Sequence, residues 1–297
     1  VGMPVHLGYV SVIPKAGFRG TSYFVEQYEN EEAGVDTDDS TPTRFLPDFT
    51  TTAYTEFSRV FSLAEESDVD VNKNSTTWLK LKHAVQPRLE YSFIPFTSQS
   101  KYPYFDEMDR IVPENELTYS LTNVFTCKTG RMQPNPEERG KRGLKVDYFD
   151  MARLRFEQSY DIREENRDED TDEYPNRPFS DVMADLTTRL SPWLYLTNRS
   201  WFSPYESRIT EHEHALSAYY DDVLFGSFSL DFLEEIDEYL RQEQERERIA
   251  SFGGGIAFSK AWSAAFMYRV DWEESTDLEK RLTVRYDHQC FSTETSW

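Results

Sequence analysis

The sequence predicts an all-β protein built as an antiparallel, up-and-down meander. Two observations predict this class: apolar and polar side chains alternate along many segments, and polar connections separate those segments. Along WLKLKHAVQPRLEYSFIPF, residues 78–96, the odd positions are mostly apolar and the even positions mostly polar. Alternation with period two is typical of a β-strand that has one apolar and one polar face.

About a dozen segments carry this pattern. In chain order they are 5–13, 16–28, 44–61, 78–96, 117–129, 144–160, 181–190, 193–210, 212–223, 226–240, 249–259, 262–272 and 281–290. Strands joined in series by polar connections indicate a meander, either a sandwich or part of an up-and-down barrel.

The connections are less uniform than the strands. Residues 30–42 and 161–178 combine charges with turn-forming residues and are predicted to be long solvated loops. Residues 234–249 are rich in Glu, Arg and Gln, which favour helix. The flanks of this segment alternate, however, so we predict two strands there, joined by a charged hairpin near 241–246.

Composition excludes several classes of protein. The chain has 32 basic and 54 acidic residues, a net charge of −22, which argues against a nucleic-acid partner because phosphates require a basic surface. No run of about 18 apolar residues predicts a transmembrane helix. Two cysteines in 297 residues provide neither a disulfide framework nor a zinc motif.

Alternation alone does not distinguish a soluble sandwich from an outer-membrane barrel, because the barrel has the same pattern with its apolar face turned to lipid. Two details favour the barrel. Trp262 and Trp272 share a parity and bracket a segment of bilayer-spanning length, about 9–11 residues, as interfacial aromatic girdles do. Residues 78–96 would also extend roughly 65 Å at about 3.4 Å per residue, which is long for a globular strand.

Motifs between residues 44 and 125 carry a resemblance to a known family. The segments are RFLPDFTTTAYTEFSRVF from Arg44, LKHAVQPRLEYSFIPFTSQSKYPYFDEMDRI from Leu81, and LTYSLTNVF from Leu117. In this order they resemble the barrel of the LptD family, the lipopolysaccharide-assembly proteins of Gram-negative outer membranes. The positions that match the family pattern are Arg44, Pro47, His83, Pro87, Tyr91, Pro95, Gln99, Asp106 and Asn123.

The resemblance implies a function and a domain organisation. Residues 1–297 would be the C-terminal portion of a transmembrane barrel of about 26 strands, an open curved sheet that lacks the N-terminal jellyroll and the first barrel strands. The protein would insert lipopolysaccharide into the outer leaflet of the outer membrane. Its partners would be lipopolysaccharide, a lipoprotein plug similar to LptE, and the periplasmic Lpt bridge, which binds the missing N-terminal domain.

The resemblance also assigns residues. Cys290 would form a disulfide with the missing N-terminal domain, although the family often has two adjacent cysteines where this chain has Cys290 followed by Phe291. Pro87 would mark a bulge or a local break in strand pairing, because proline offers no N–H to a ladder. In a barrel, Arg153 and Arg155 would face the lumen. Leu154, Phe156, Trp262 and Trp272 would face lipid.

No residue pattern points to an enzyme, a cofactor or a resident metal. Nucleophile motifs, phosphate-binding loops and dinucleotide-binding glycine patterns are absent from the sequence. His212 and His214 would share one face of a strand, so a two-histidine metal site is conceivable, but we favour ordinary strand residues. Cys127 lies in an apolar strand and is interpreted as structural. The alternative functions are a general porin or other outer-membrane transporter and, less favoured, a soluble acidic β-sandwich that binds a ligand.

Overall fold

A computed structural model describes most of the chain. The described residues are 2–25, 28–30, 35–37, 41–70, 75–105, 109–134, 142–168, 171–221, 223–239 and 241–297. Within these ranges, no helix combines the length and the apolar character that crossing a membrane requires.

The described residues form nineteen strands, one short helix and one 3-10 turn. The strands are β1 (Val5–Leu7), β2 (Val10–Ser22), β3 (Tyr28–Asn30), β4 (Val35–Thr37), β5 (Thr43–Tyr54), β6 (Phe57–Ser62), β7 (Thr77–Ile94), β8 (Glu114–Pro134), β9 (Arg142–Asp161), β10 (Val182–Ser191), β11 (Leu194–Ser203), β12 (Arg208–Tyr220), β13 (Leu224–Leu233), β14 (Ile236–Glu238), β15 (Arg241–Gln244), β16 (Glu247–Ala257), β17 (Trp262–Asp271), β18 (Thr276–Asp287) and β19 (Ser292–Ser296). Helix α1 spans Ile162–Glu165, and the 3-10 turn spans Glu66–Asp68.

Fifteen of these strands form one antiparallel sheet. Its order is β1-β2-β5-β7-β8-β9-β10-β11-β12-β13-β16-β17-β18-β19, and β6 also pairs with β7. Strands β3 and β4 form a separate hairpin, as do β14 and β15. The predicted all-β meander is therefore confirmed. The sheet is not closed among the described residues, since its path ends at β1 and β19.

The chain divides into two compact units. One comprises Val1–Glu56, Pro87–Ser120 and Gln158–Ser180. The other comprises Phe57–Gln86, Leu121–Glu157 and Asp181–Trp297. The second unit contains the strand pairings from β9 to β19.

Register gives the sheet of the second unit two distinct faces from β9 to β18. Side chains of directly paired residues lie on the same face. One face, here called the apolar face, carries Leu154, Phe156, Leu186, Leu196, Leu216, Phe228, Phe252, Phe266 and Leu282. The other, here called the polar face, carries Arg153, Arg155, Asp185, Arg199, Glu213, Asp231, Arg269 and Glu279. The alternation predicted strand by strand therefore extends across neighbouring strands.

Residues 234–249 contain a charged hairpin and, among the described residues, no helix, but the hairpin spans 236–244 and not the predicted 241–246. Strand β13 ends at Leu233 and β16 begins at Glu247, with the hairpin β14–β15 between them. Arg241 anchors this hairpin, because its Nη1 donates to Asp181 Oδ2 at 3.0 Å. The same oxygen accepts a 2.6 Å hydrogen bond from Oγ1 of the fully buried Thr210. The hairpin is thus tied to the start of β10 and to β12.

In the connection between β9 and β10, residues 161–178 were predicted to be a solvated loop, and the described ones are all at least partly exposed except Glu164. Glu164 of α1 is buried and accepts hydrogen bonds from Arg167 at 2.9 and 3.0 Å and from the Arg177 backbone N–H at 3.1 Å. Burial by itself raises the pKa of Glu164, but these donors outweigh it and hold the pKa below its ordinary value. The hydrogen-bonded carboxylate of Glu164 therefore orders this connection, and the sequence pattern did not predict its partners.

Pro87 coincides with an interruption in the strand beside β7. Strand β5 pairs with β7 as far as Tyr54 opposite Arg88, and pairing resumes at Phe57 opposite Val85 in the same register. Between them, the Thr55 N–H donates to the Pro87 carbonyl at 3.3 Å. Because proline has no N–H, Pro87 cannot donate the second hydrogen bond that this residue pair would otherwise make, to the Thr55 carbonyl. The predicted local break is confirmed, and β7 itself continues through it.

Replacing Pro87 by valine should repair this ladder. The new N–H of Pro87→Val would lie opposite the Thr55 carbonyl, and one additional hydrogen bond contributes about 1 kcal/mol. Hydrogen exchange should then be slower at residues 55–57. Pro95→Val is the matched control, because Pro95 follows the end of β7. Equal protection in wild type and Pro87→Val would show that proline does not cause the break.

Candidate functional site

The polar face of the second unit is lined by ion pairs between neighbouring strands. Arg199 on β11 lies 3.3 Å from Asp185 on β10 and 3.2 Å from Glu213 on β12. Arg155 pairs with Glu157 along β9. These side chains are partly exposed, so each pair contributes little to stability. What they provide is a hydrated surface on which most charges are locally balanced.

The arginines predicted to face a lumen lie on this polar face. Arg155 is opposite Asp185, and Arg153 is opposite Thr187. Leu154 and Phe156 lie on the apolar face, opposite Leu186 and Ala184. The structure therefore separates the two predicted sets onto different faces. Which of the faces contacts lipid stays a prediction at this point.

The two predicted girdle tryptophans lie at opposite ends of one strand. Trp262 begins β17, and Trp272 follows its last residue, Asp271. The Trp262 ring lies 4.7 Å from the ring of Tyr286, and the Trp272 ring lies 5.6 Å from that of Phe232. Both indoles are about half exposed, at 47% and 51%. They could therefore occupy both interfaces of a layer that β17 crosses.

Arg44 and Gln99, two of the motif positions, bind each other in the first unit. Arg44 is buried at the start of β5, and its Nη1 donates to Gln99 Oε1 at 2.8 Å and to the Asp109 carbonyl at 2.5 Å. The Gln99 amide also exchanges hydrogen bonds with the backbone of Ile111, accepting at 3.0 Å and donating at 2.8 Å. Tyr23 reinforces the cluster by donating to the Asp109 carboxylate at 3.1 Å. These contacts fasten the connection between β7 and β8 to β5.

His83 and Asn123 form a second pair of motif residues, in the second unit. His83 Nε2 lies 3.0 Å from Asn123 Oδ1, and the imidazole stacks on Phe125 with ring centroids 4.4 Å apart. A donor on Nε2 therefore faces the asparagine oxygen. This arrangement cross-links β7 and β8 and leaves the His83 ring in a structural role.

The remaining motif positions lie in or beside strands of the first unit. Tyr91 on β7 donates its hydroxyl to Asn115 Oδ1 at 2.9 Å. Pro47 is exposed on β5 opposite Phe18, and Pro95 follows the last residue of β7. Asp106 lies outside the described residues.

His212 and His214 share the apolar face, and their surroundings do not resemble a metal site. Their rings stack with centroids 5.3 Å apart. The Asn198 amide nitrogen lies 2.5 Å from His214 Nδ1, and the Ser200 hydroxyl lies 3.0 Å from His212 Nδ1. An amide that donates to Nδ1 occupies the lone pair of that nitrogen, which a metal ion bound there would need. Among the described residues, no group of three or more metal-ligating side chains occurs.

Cys127 and Cys290 differ in burial, and neither is bonded to a cysteine of the described chain. Cys127 is fully buried, with its sulfur 3.9 Å from that of Met151, which agrees with a structural role. Cys290 is exposed and lies in the connection between β18 and β19. The sequence pattern had placed it on a strand, and that placement is wrong because β18 ends at Asp287.

Connections from β10 to β19 are two to four residues long, except for 234–246, which is much longer. Successive connections of an antiparallel meander lie at alternate ends of the strands. The strand ends on one side of the sheet, here called the near edge, carry the connections 192–193, 221–223, 258–261 and 288–291. The strand ends on the opposite side, here called the far edge, carry the connections 204–207, 234–246 and 272–275. The longest of these connections, with its own hairpin, is at the far edge, and Cys290 is at the near edge.

Comparison with known proteins gives the family. The sequence profile described as "LptD: LPS transport system D" matches residues 1–262. The chain belongs to the LptD family. It is also similar to the LPS-assembly protein LptD of Nitrosospira multiformis, with 28% identity over 147 residues. That alignment covers 43% of this chain and 14% of the relative, so the chain spans a small part of the relative's length.

Several residues that organise this LptD-family sheet were not singled out in the sequence. Asp109 and Tyr23 complete the Arg44 cluster, and Asp181 and Thr210 hold the Arg241 hairpin. Asp109 lies inside a segment that carried the resemblance, but its position there gave no sign of its partner. Recognising the other residues would have required the strand register.

Replacing Arg44 by methionine should release the connection at 95–113 in this LptD-family chain. The substitution keeps an unbranched side chain but removes the donor to Gln99 and Asp109, and hydrogen bonds to a charged group contribute about 2 kcal/mol. Hydrogen exchange should therefore become faster in 95–113 while β7 and β8 stay protected.

Arg19→Met is the control for this experiment, because the Arg19 side chain is 56% exposed and lies 3.5 Å from Asp48 in an exposed ion pair. Equal exchange rates in the two variants would contradict the anchoring role of Arg44.

Proposed function

We propose that residues 1–297 form the C-terminal portion of the transmembrane β-barrel of a protein that inserts lipopolysaccharide into the outer leaflet of the outer membrane. The observation that carries this proposal is the family match over residues 1–262. It favours lipopolysaccharide assembly over a general porin or a soluble sandwich. The N-terminal jellyroll and the first barrel strands would lie in the remainder of the protein.

The two faces of the sheet support a specific orientation. In an outer-membrane barrel, the apolar side chains face lipid and the polar side chains line a hydrated lumen. Leu154, Phe156, Trp262 and Trp272 would then contact lipid, while Arg153 and Arg155 would face the lumen. Outer-membrane barrels have short periplasmic turns and longer extracellular loops. By that rule, the near edge faces the periplasm and the far edge faces the cell exterior.

The proposed mechanism is guided passage, with no covalent bond made or broken. The jellyroll would deliver the acyl chains towards the membrane, while the sugars cross the hydrated lumen along the polar face. Balanced ion pairs such as Arg199 with Asp185 and Glu213 suit this role, because they attract water without holding one ligand tightly. Release would occur through a gap between the first and last strands of the complete barrel.

Two protein partners belong to this proposal. A lipoprotein similar to LptE would plug the lumen, and the periplasmic Lpt bridge would dock on the N-terminal domain. A full barrel of about 26 strands has a lumen too wide for its own side chains to fill. A separate plug would therefore be needed to keep the outer membrane sealed.

Cys290 is proposed to form a disulfide with a cysteine of the N-terminal domain. Its exposure and its position at the near edge support this, because the periplasm is the oxidising compartment in which disulfides form. Thiol alkylation of the native full-length protein should leave Cys290 unmodified until a reductant is added. Alkylation without a reductant would exclude the bond.

Labelling at two adjacent positions tests which face contacts lipid. Cysteines placed at positions 154 and 153 of the full-length protein, in a Cys127→Ser and Cys290→Ser background, lie on opposite faces of β9. A membrane-embedded hydrophobic probe should label position 154 strongly, and a small water-soluble reagent should label position 153. If position 154 is shielded from the lipid probe while large soluble reagents reach position 153, the sheet packs as a sandwich and the barrel proposal fails.

Depletion tests the activity itself. In the source organism, switching off synthesis of the full-length protein should lower the amount of lipopolysaccharide at the cell surface. Binding of an added sugar-binding lectin to intact cells measures this amount. Newly made lipopolysaccharide should accumulate in the inner membrane. Unchanged surface lipopolysaccharide combined with loss of solute uptake would instead identify a porin.

A further inference from the structure

A cavity opens on the polar face at the near edge of the second unit. This cavity, here called the near-edge cavity, has a volume of about 730 Å³, within the range of about 300–1,000 Å³ usual for small-ligand sites. Its walls combine aromatic and cationic side chains, among them Trp78, Phe149, Arg131 and Arg189.

A separate groove of about 890 Å³ lies beside Gly254. Its walls are apolar side chains such as Leu224, Ile256 and Phe266. That groove offers no charged group to select a ligand. The near-edge cavity does, through Arg131 and Arg189.

Arg189 is held rigidly in the wall of the near-edge cavity. Its guanidinium carbon lies 5.0 Å from the centroid of the Phe149 ring and 5.6 Å from that of Tyr195. Its Nε and Nη2 donate to the carbonyls of Ser191 and Pro192 at 3.3 and 3.0 Å. Stacking and two backbone acceptors fix the orientation of the guanidinium, and among the described contacts Nη1 remains available as a donor.

The charge of Arg189 is not balanced by a carboxylate. Within the described part of the chain, no Asp or Glu oxygen lies within 4.0 Å of its guanidinium. This contrasts with Arg199 on the same face, which has two carboxylate partners. Arg131, also in the wall, lies 3.9 Å from Asp147 and is 43% exposed. In a chain with a net charge of −22, the wall of this cavity thus carries two cations and one acid.

We propose that the near-edge cavity binds a phosphorylated sugar, namely the phosphosugar head of the transported glycolipid as it enters the lumen. A guanidinium with a free donor edge matches phosphate oxygens in geometry and charge. Trp78 and Phe149, whose rings meet edge to face 6.5 Å apart, offer apolar walls on which a sugar ring can pack. This inference rests on the proposed function, which places the near edge at the periplasmic entrance.

Photo-crosslinking from the cavity wall tests the proposal. Full-length protein in detergent would carry benzoylphenylalanine in place of Phe149, which preserves an aromatic wall, and would be irradiated with lipid A bearing both sugar phosphates. An adduct is expected, and at least tenfold less with the same lipid after dephosphorylation. Glucosamine 1-phosphate should compete for the site, and glucosamine should not.

Arginine variants identify the group responsible. Arg189→Gln should lower the adduct at least tenfold, and Arg189→Lys should lower it less, because lysine keeps the charge but loses the planar fork. Arg281→Gln is the matched control and should leave the adduct unchanged, because Arg281 lies on the same face, is 60% exposed and is paired with Glu279. An adduct that is insensitive to Arg189→Gln, or equally sensitive to Arg281→Gln, overturns the proposal. If Arg189→Gln fails to fold, competition between glucosamine 1-phosphate and lipid A, measured in the protein that keeps Arg189, still tests the proposal.

The remaining outcomes separate this inference from the proposed function. A second crosslinker at Ser229, elsewhere on the polar face, is irradiated with intact lipopolysaccharide and reports its sugars in the lumen. Lipopolysaccharide adducts at position 229 without lipid A adducts at 149 would overturn the cavity and leave the proposed function intact. Adducts at neither position would contradict both. If inorganic phosphate competes as well as glucosamine 1-phosphate, the site binds free phosphate, and the assignment to a sugar headgroup is wrong.

Discussion

The antiparallel backbone ladder is the constraint on which the rest of this structure depends. Side chains alternate across a strand with period two, so a slip of one residue between two strands would move every side chain of one strand to the other face. From Leu154 on β9 to Leu282 on β18, the successive strand pairings keep the apolar side chains on one face of the sheet. Irregularities occur at particular points, such as between Trp201 and Phe202 opposite the buried Thr210.

The local interruptions of the ladder show how a long sheet tolerates exceptions. At Pro87 one returning hydrogen bond is lost, yet the register of the neighbouring strand is the same on both sides. At Thr210 the extra residue turns its hydroxyl to Asp181, which also holds Arg241 of the far-edge hairpin. At Gly255 a side chain would collide with the ring of Phe225, so glycine lets that ring lie flat on the strand. Each exception is compensated within a few residues, and the two faces persist.

Sequence patterns predicted the local features of this fold and missed the non-local ones. The strands, their faces and the break at Pro87 follow from period-two alternation and from the missing N–H of proline. The Arg44–Gln99 pair joins residues 55 positions apart, and no local pattern encodes which polar residue of a connection returns to which strand. The same limit explains why the burial of Glu164 was not predicted. The composition of 161–178 is that of a solvated loop, but Glu164 is buried because Arg167 and Arg177 supply its hydrogen bonds.

Charge distribution, more than net charge, decides what the polar face can do. A chain with a net charge of −22 would be expected to repel an anion, yet that repulsion is screened beyond about 8 Å at physiological salt. At shorter range the local pairing matters. Where Arg199 is neutralised by Asp185 and Glu213, a phosphate would have to displace a carboxylate to bind. Where Arg189 is held by aromatic rings and carbonyl oxygens, its charge is oriented without being neutralised. An acidic protein can therefore present a localised site for an anion, provided that the arginine is positioned by groups that carry no negative charge.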